Sequence, residues 1–267
     1  MVEFSQKENY GLYDFVEIIR LLRSENGCPW DKVQTHESIR RNLLEEAYEA
    51  CEAIDEQDTP HLREELGDVL MQVIFHASIE EDKGNFTLED VADAACKKLI
   101  YRHPHVFGTT VVSGTEEVLH NWDELKKKER AQTDTADTMA SVSKTLPALW
   151  RAEKVQKTAA GAGFDWPDIH GAMDKLREEV GELEEAVQAG DGAHVREELG
   201  DVLFAAVKAA RFAGVDPEDA LHAACEKFIA RFRGMETLAK AQGQRFETLP
   251  LEAQAELYRL VKAEATV

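Results

Sequence analysis

Apolar residues recur at helical spacing along almost the whole chain, with no convincing strand alternation. Leu12, Phe15, Val16, Ile19 and Leu22 predict an amphipathic helix over 10–23, which Gly27 and Pro29 break. Ser38 is the predicted N-cap of a second helix running to about Asp55, with Leu43, Leu44, Ala47, Ala50 and Ile54 on one side. Thr59 and Pro60 read as the N-cap and first position of a third, reaching about Glu81. On it Leu66, Val69, Leu70, Val73, Ile74 and Ala77 form a broad apolar face. A fourth helix begins at Thr87 and ends at His103 and Pro104, and a fifth covers 115–130. The same order returns downstream: helices are predicted over about 147–160, from Ile169, over 193–212, from Asp216 and Pro217, and over 250–263.

This recurrence is also literal. REELGDVL stands at 63–70 and again at 196–203, and an EExxE pattern precedes each copy, at 45–49 and 178–182. Both patterns repeat at an offset of 133 residues, so the unit of EExxE, a gap and ExxD is duplicated with its spacing intact. The expectation is an all-α protein made of two small antiparallel helical bundles, 1–131 and 145–267. Between them 132–144 is rich in Thr, Ser and Asp and poor in large apolar residues, the composition of a linker.

Net charge narrows the partners. At −21 the chain should be repelled by nucleic-acid backbones and anionic membrane surfaces, and it suits a carrier of cations. No basic region followed by an apolar core opens the chain, and no apolar run approaches eighteen residues, so neither a signal peptide nor a membrane span is expected. The cytoplasm is the expected location. Cys28, Cys51, Cys96 and Cys225 lack CxxC spacing and read as plain reduced thiols.

Candidate chemistry lies in the repeated acids. Residues three apart share a helix face, so Glu46 and Glu49 point together, as do Glu65 and Asp68 on the next helix. A short connection near 56–59 makes these helices antiparallel and lets the four acids converge. Two carboxylates about 4 Å apart repel by about 4 kcal/mol at an effective dielectric near 20, so four need a counter-ion. Carboxylates without His or Cys suit a hard cation, with Mg²⁺ the natural candidate and Mn²⁺ a substitute. Glu179, Glu182, Glu198 and Asp201 repeat the arrangement. A single EExxE is common on solvated faces; a duplicated set bordering apolar stripes favours a site. Gly67 and Gly200, mid-helix in both copies, suggest the close approach of another chain segment.

Basic and aromatic residues recur as well. Lys98 and Arg102 match Lys227 and Arg231, while Trp122 with Lys126 matches Tyr258 with Lys262. Cations opposite a metal site suit a polyphosphate, and an aromatic face is left for a base. His103 and His105 read as residues of a helix-ending turn. No GxxxxGK[ST] or GxGxxG occurs, so a nucleotide would be held neither by a P-loop nor by a Rossmann turn.

With CPWD at 28–31, RHPHVF at 102–107 and GFDW at 163–166, the tandem acidic patterns resemble the two-domain MazG nucleoside triphosphate pyrophosphohydrolases over nearly the whole chain. The resemblance implies an all-α, Mg²⁺-dependent enzyme, similar in fold to dimeric dUTPases and usually a homodimer. Such enzymes cleave NTPs or dNTPs to NMP and pyrophosphate, with broad specificity and a house-cleaning role. It points to the C-terminal copy as the active one, with metal ligands at Glu179, Glu182, Glu198 and Asp201. It adds Lys175, Lys227, Arg231 and Lys262 as phosphate or nucleotide contacts; Tyr258 stands where the family often has Trp. The N-terminal copy, with Glu46, Glu49, Glu65 and Asp68 intact, is expected to be structural or regulatory while still able to bind metal. Glu178 or one of the ligands would accept the proton of the attacking water.

Two rival readings remain. A carboxylate di-iron protein would need Glu-x-x-His from two helices, a pattern that these helices lack. A non-enzymatic acidic helical adaptor would use its acids only for solubility.

Overall fold

The computed structural model describes residues 4–129 and 134–264. Among them twelve α-helices and two short 3₁₀ turns occur and no strand. The chain divides into two compact units, Met1–Lys126 and Lys127–Val267.

In the first unit α1 (Leu12–Arg23), α2 (His36–Asp55) and α3 (Thr59–Asp82) form the body, followed by α4 (Leu88–Arg102), the single turn α5 (Pro104–Phe107) and α6 (Thr115–Glu129). Helix α2 begins earlier than predicted. Thr35, not Ser38, is its N-cap: the Thr35 hydroxyl accepts the Ser38 N–H, and the Ser38 hydroxyl accepts the Thr35 N–H in return. Helix α3 likewise is capped by Asp58 rather than Thr59, because a carboxylate at that position accepts the His61 N–H. The three-residue turn between α2 and α3 makes them antiparallel neighbours.

Val16, Ile19, Ile39, Ile74, Phe75 and Ile79 form the buried core where α1, α2 and α3 meet. Each such side chain contributes about 1.5–3 kcal/mol through burial. Around that core, charged residues of α1 lock onto α3. Arg20 donates to both oxygens of Glu81 at 3.0 and 2.8 Å, and Arg23 donates to Ser78 and Asp82. The predicted apolar face of α3 is only half used. Ile74 and Ala77 are buried, whereas Leu66, Leu70 and Val73 are exposed.

The second unit holds α7 (Thr135–Ala140), α8 (Ala148–Gly161), α9 (Ile169–Ala189), α10 (Gly192–Ala213), α11 (Pro217–Ala241) and α12 (Leu251–Glu264). The expected domain end at 131 and the first two linker positions, 132 and 133, lie outside the described residues, as does Arg130 of the predicted fifth helix. Much of the rest of the expected linker is helical. Asp134 caps α7 by accepting the Asp137 N–H at 2.7 Å, and the helix packs against α8.

Gly190, at φ 71°, ends α9 in the left-handed conformation, and Asp191 at once caps α10. The two-residue turn sets α9 and α10 side by side, as in the first unit. Gln156 on α8, almost fully buried, ties the pair to α8 by donating to the Phe204 carbonyl at 2.7 Å. Met235, Ala239 and Leu257 form a second core between α11 and α12, with Phe246 and Tyr258 packed against it. The four cysteines are free, and no described helix is long and apolar enough to cross a membrane.

Candidate metal centres

Glu46 and Glu49 project from α2, and Glu65 reaches them from α3. One carboxylate oxygen from each lies within 4.8 Å of the others. Glu65 is buried, Glu46 half-buried and Glu49 exposed. Burial, then the charges of Asp68, Glu49 and Glu65, raise the Glu46 carboxyl above its usual range. Oε2 of Glu65 is buried without a hydrogen-bond partner. A buried, unpaired carboxylate oxygen on a glutamate clustered with two further acids is unfavourable unless a cation completes it.

The second copy repeats the geometry. Glu179 and Glu182 on α9 and Glu198 on α10 place three oxygens within 4.8 Å of one another. Glu179 and Glu198 are buried, and a hydrogen bond with Glu179, then burial, raises the Glu182 carboxyl. One difference separates the copies. Lys175 lies a turn before Glu179 and reaches it at 2.8 Å and Glu178 at 2.7 Å; these bonds raise its own pKa. The corresponding residue of the first copy is Asn42, and Glu45, the counterpart of Glu178, is paired with Arg41 instead.

Three of the four predicted acids converge in each copy, not four. Asp68 and Asp201 stand outside the 4.8 Å sets, although the Asp68 charge is felt at Glu46. At Glu46 the charge of Asp68 even outweighs that of Glu49 or of Glu65. Gly67 and Gly200 also differ from expectation. A Cβ at either would meet nothing within 4 Å, so no other described segment approaches them closely.

The basic and aromatic candidates group with one another. The Arg102 guanidinium lies over the Trp122 ring at 5.3 Å, and that of Arg231 lies 5.7 Å from the Tyr258 ring centre while donating to its hydroxyl at 3.1 Å. The ring expected to stay open for a base therefore carries an arginine in both copies. Lys98 and Lys227 are exposed; Lys126 is half-buried and Lys262 exposed. His103 caps α4, its Nδ1 2.6 Å from the Leu99 carbonyl and its ring edge-on to Trp122 at 4.8 Å.

Sequence reasoning passed over two histidines. His61 Nε2 lies 3.1 Å from Glu65 Oε1, and His194 Nε2 lies 2.9 Å from Glu198 Oε1. The signal was available, because extending the repeat two residues upstream gives HxREELGDVL at 61–70 and 194–203.

All-carboxylate donor sets, paired across antiparallel helices, fit a hard divalent cation. Fold and sites together define a class: an all-α protein with duplicated carboxylate centres between neighbouring helices. Residues 34–107 and 169–234 match the MazG nucleotide pyrophosphohydrolase domain, covering both acidic patterns. The chain is 43% identical over 249 residues to the nucleoside triphosphate pyrophosphohydrolase/pyrophosphatase MazG of Thermotoga maritima, covering 93% of this chain and 94% of that one. It is 43% identical over 247 residues to the nucleoside triphosphate pyrophosphohydrolase of Escherichia coli K12, covering 92% and 94%. It is also 46% identical over 249 residues, 93% of this chain, to about half (51%) of the uncharacterized protein YabN of Bacillus subtilis. The chain belongs to the MazG nucleotide pyrophosphohydrolase family.

Proposed function

We propose that the protein is a nucleoside triphosphate pyrophosphohydrolase that uses Mg²⁺, or Mn²⁺ in its place, and releases NMP and pyrophosphate. The observation that carries this reading is the trio Glu179, Glu182 and Glu198, brought within 4.8 Å from two helices in a chain of this family. When bound, the cation would supply positive charge to the triphosphate oxygens and acidify a water.

The side chains supply the rest. Glu179 and Glu198, both buried, hold fixed positions, while Glu182 completes the trio from the exposed side. Lys175, already bonded to Glu178 and Glu179, sets a second cation at the edge of the trio, where charge on a leaving pyrophosphate would need it. Glu178, outside the trio and one residue from Glu179, or one of the ligands takes the water proton. Lys227 and Lys262, exposed on α11 and α12, are the further phosphate contacts of this reading. The first copy, lacking an equivalent of Lys175, would hold a cation in a structural or regulatory role. Grip on the triphosphate, which every nucleotide carries, makes broad base tolerance and a house-cleaning role in the cytoplasm the expected outcome.

A homodimer belongs to the same reading. Leu44, Tyr48, Leu66 and Leu70 in the first unit, and Leu199 and Leu203 in the second, are large apolar residues left exposed on the helices that bear the acids. Sedimentation of the full chain tests it, a monomer at micromolar concentration being the contrary result.

The activity is tested by incubating canonical and damaged NTPs with Mg²⁺ and separating NMP plus pyrophosphate from NDP plus phosphate. Glu198→Gln should abolish pyrophosphate release while far-UV circular dichroism stays that of the parent. Unimpaired turnover in that variant would refute the assignment, and Mg²⁺ that neither stabilises the fold nor supports turnover would favour the adaptor.

A further inference from the structure

We propose that His61 and His194 are positioning residues of the two carboxylate centres. Each holds one oxygen of the buried glutamate a turn ahead, leaving the other to the cation. This rests on the metal reading above.

Three observations carry it. The contacts are the same in both copies: Nε2 to Oε1 at 3.1 Å from His61 to Glu65 and at 2.9 Å from His194 to Glu198, each across an i, i+4 step. The glutamate held is the buried member that the second helix of each pair supplies, and the histidines stand outside the sets that lie within 4.8 Å. In the first copy the remaining oxygen, Glu65 Oε2, is buried without a partner, as expected of an atom reserved for a ligand.

The chemistry assigns the proton. An ionised carboxylate only accepts, so a hydrogen on Nε2 is what would make this approach attractive, and a neutral imidazole suffices for that. A glutamate with three torsions loses less freedom on taking up a cation when one oxygen is already held. Outer partners of this kind orient ligands and typically change metal affinity about 10–100-fold when removed.

The test uses the full chain with Glu65→Gln, so that a single class of site remains, and reads free Mn²⁺ by electron paramagnetic resonance. Glu198→Gln in that background is the control and should abolish tight binding. His194→Ala should weaken Mn²⁺ binding by about 10–100-fold with unchanged helix content. His194→Gln should recover most of the loss, since an amide N–H can span the same step. An unchanged affinity in His194→Ala, or equal loss in the Ala and Gln variants with a matching fall in thermal midpoint, overturns the positioning role. So does a directly coordinated nitrogen in the spin-echo spectrum of bound Mn²⁺, which would make the histidine a ligand. If Glu198→Gln binds as tightly as its parent, the carboxylate reading itself fails and takes this one with it.

Discussion

The Nδ1 atoms of His36 and His76 face each other at 2.7 Å, their rings stacked with centroids 5.0 Å apart. One ring must donate and the other accept, so the pair has room for a single shared proton. His36 turns its Nε2 to Glu80 at 2.6 Å, and Lys83 and Asn85 hold the same carboxylate. Those bonds, that of Lys83 first, bring the Glu80 pKa down to about 2. Burial, and then His36, lowers that of His76.

Acidification should therefore weaken the first unit in two stages. The folded state resists a proton that an unfolded histidine takes up near 6.5, so stability contributed through His76 is full above that pH and declines below it. The contribution of Glu80 is present above 4.5 and lost as pH falls from there toward 2. His76→Gln should flatten the first stage and leave the second. Thermal midpoints of both proteins from pH 8 to pH 3 check this; parallel curves between pH 7 and pH 5 would contradict it.

Replacing Gly200 by Ala, or Gly67 by Ala, should stabilise the protein. Either glycine sits inside a helix, where it is about 1 kcal/mol less favourable than Ala, and the new Cβ meets nothing within 4 Å. Gly171→Ala is the contrast, because its Cβ would come 2.9 Å from the Trp166 ring. Urea unfolding should give opposite signs for Gly200 and Gly171. A destabilised Gly200→Ala protein would mean that a second copy closes on that side of α10.

What the sequence disclosed and what it withheld follow one physical line. Helix periodicity, the Thr87 and Asp216 caps and the pairing of two acidic helices come from contacts within a few residues, so pattern reading reaches them. Which acids of an ExxD pair enter a mutual 4.8 Å set depends on how two helices cross, which spacing alone does not encode; spacing groups Asp68 and Asp201 with the trios, and they fall outside those sets. The stacking of Arg102 on Trp122 joins α4 to α6, and that of Arg231 on Tyr258 joins α11 to α12; sequence reading found those four residues but not their mutual contact. His61 and His194 were legible and missed, since the repeat was read from Arg63 and Arg196 onward.

Asp165 in the GFDW stretch should prove a structural anchor. Arg211 donates through Nη2 to both its oxygens, at 2.6 and 2.5 Å, and Lys208 stands 3.7 Å away. Burial pushes the Asp165 carboxyl up, but Arg211, the Trp166 N–H and Lys208 together outweigh it and hold the pKa below the usual range. Asp165→Ala leaves the largely buried Arg211 uncompensated and should cost about 1.5–3 kcal/mol, the range for hydrogen bonds to charged groups. Urea midpoints measure it, and a change under about 0.5 kcal/mol, ordinary for a surface substitution, would remove Asp165 from this role.

Cation binding should expel protons, and the sign follows from the raised carboxyls. In the free protein a hydrogen bond with Glu179, then burial, favours the protonated form of Glu182, while burial and neighbouring acids do the same for Glu46. A divalent cation needs these oxygens ionised, so uptake below neutral pH must release what they hold, and affinity must fall as pH falls. The same raised carboxyls make the cation-free protein more stable as pH drops through their folded values, the reverse of the His76 effect, because protonation relieves repulsion in the trio. Mn²⁺ titration calorimetry at pH 5.5 in buffers of different ionisation heat reads the released protons directly. The apparent enthalpy should vary with the buffer, and less so in Glu182→Gln, which has no proton to give at that position. Identical enthalpies in every buffer would mean that the trios are already fully ionised without a cation, and that mutual repulsion is not what makes them receptive to one.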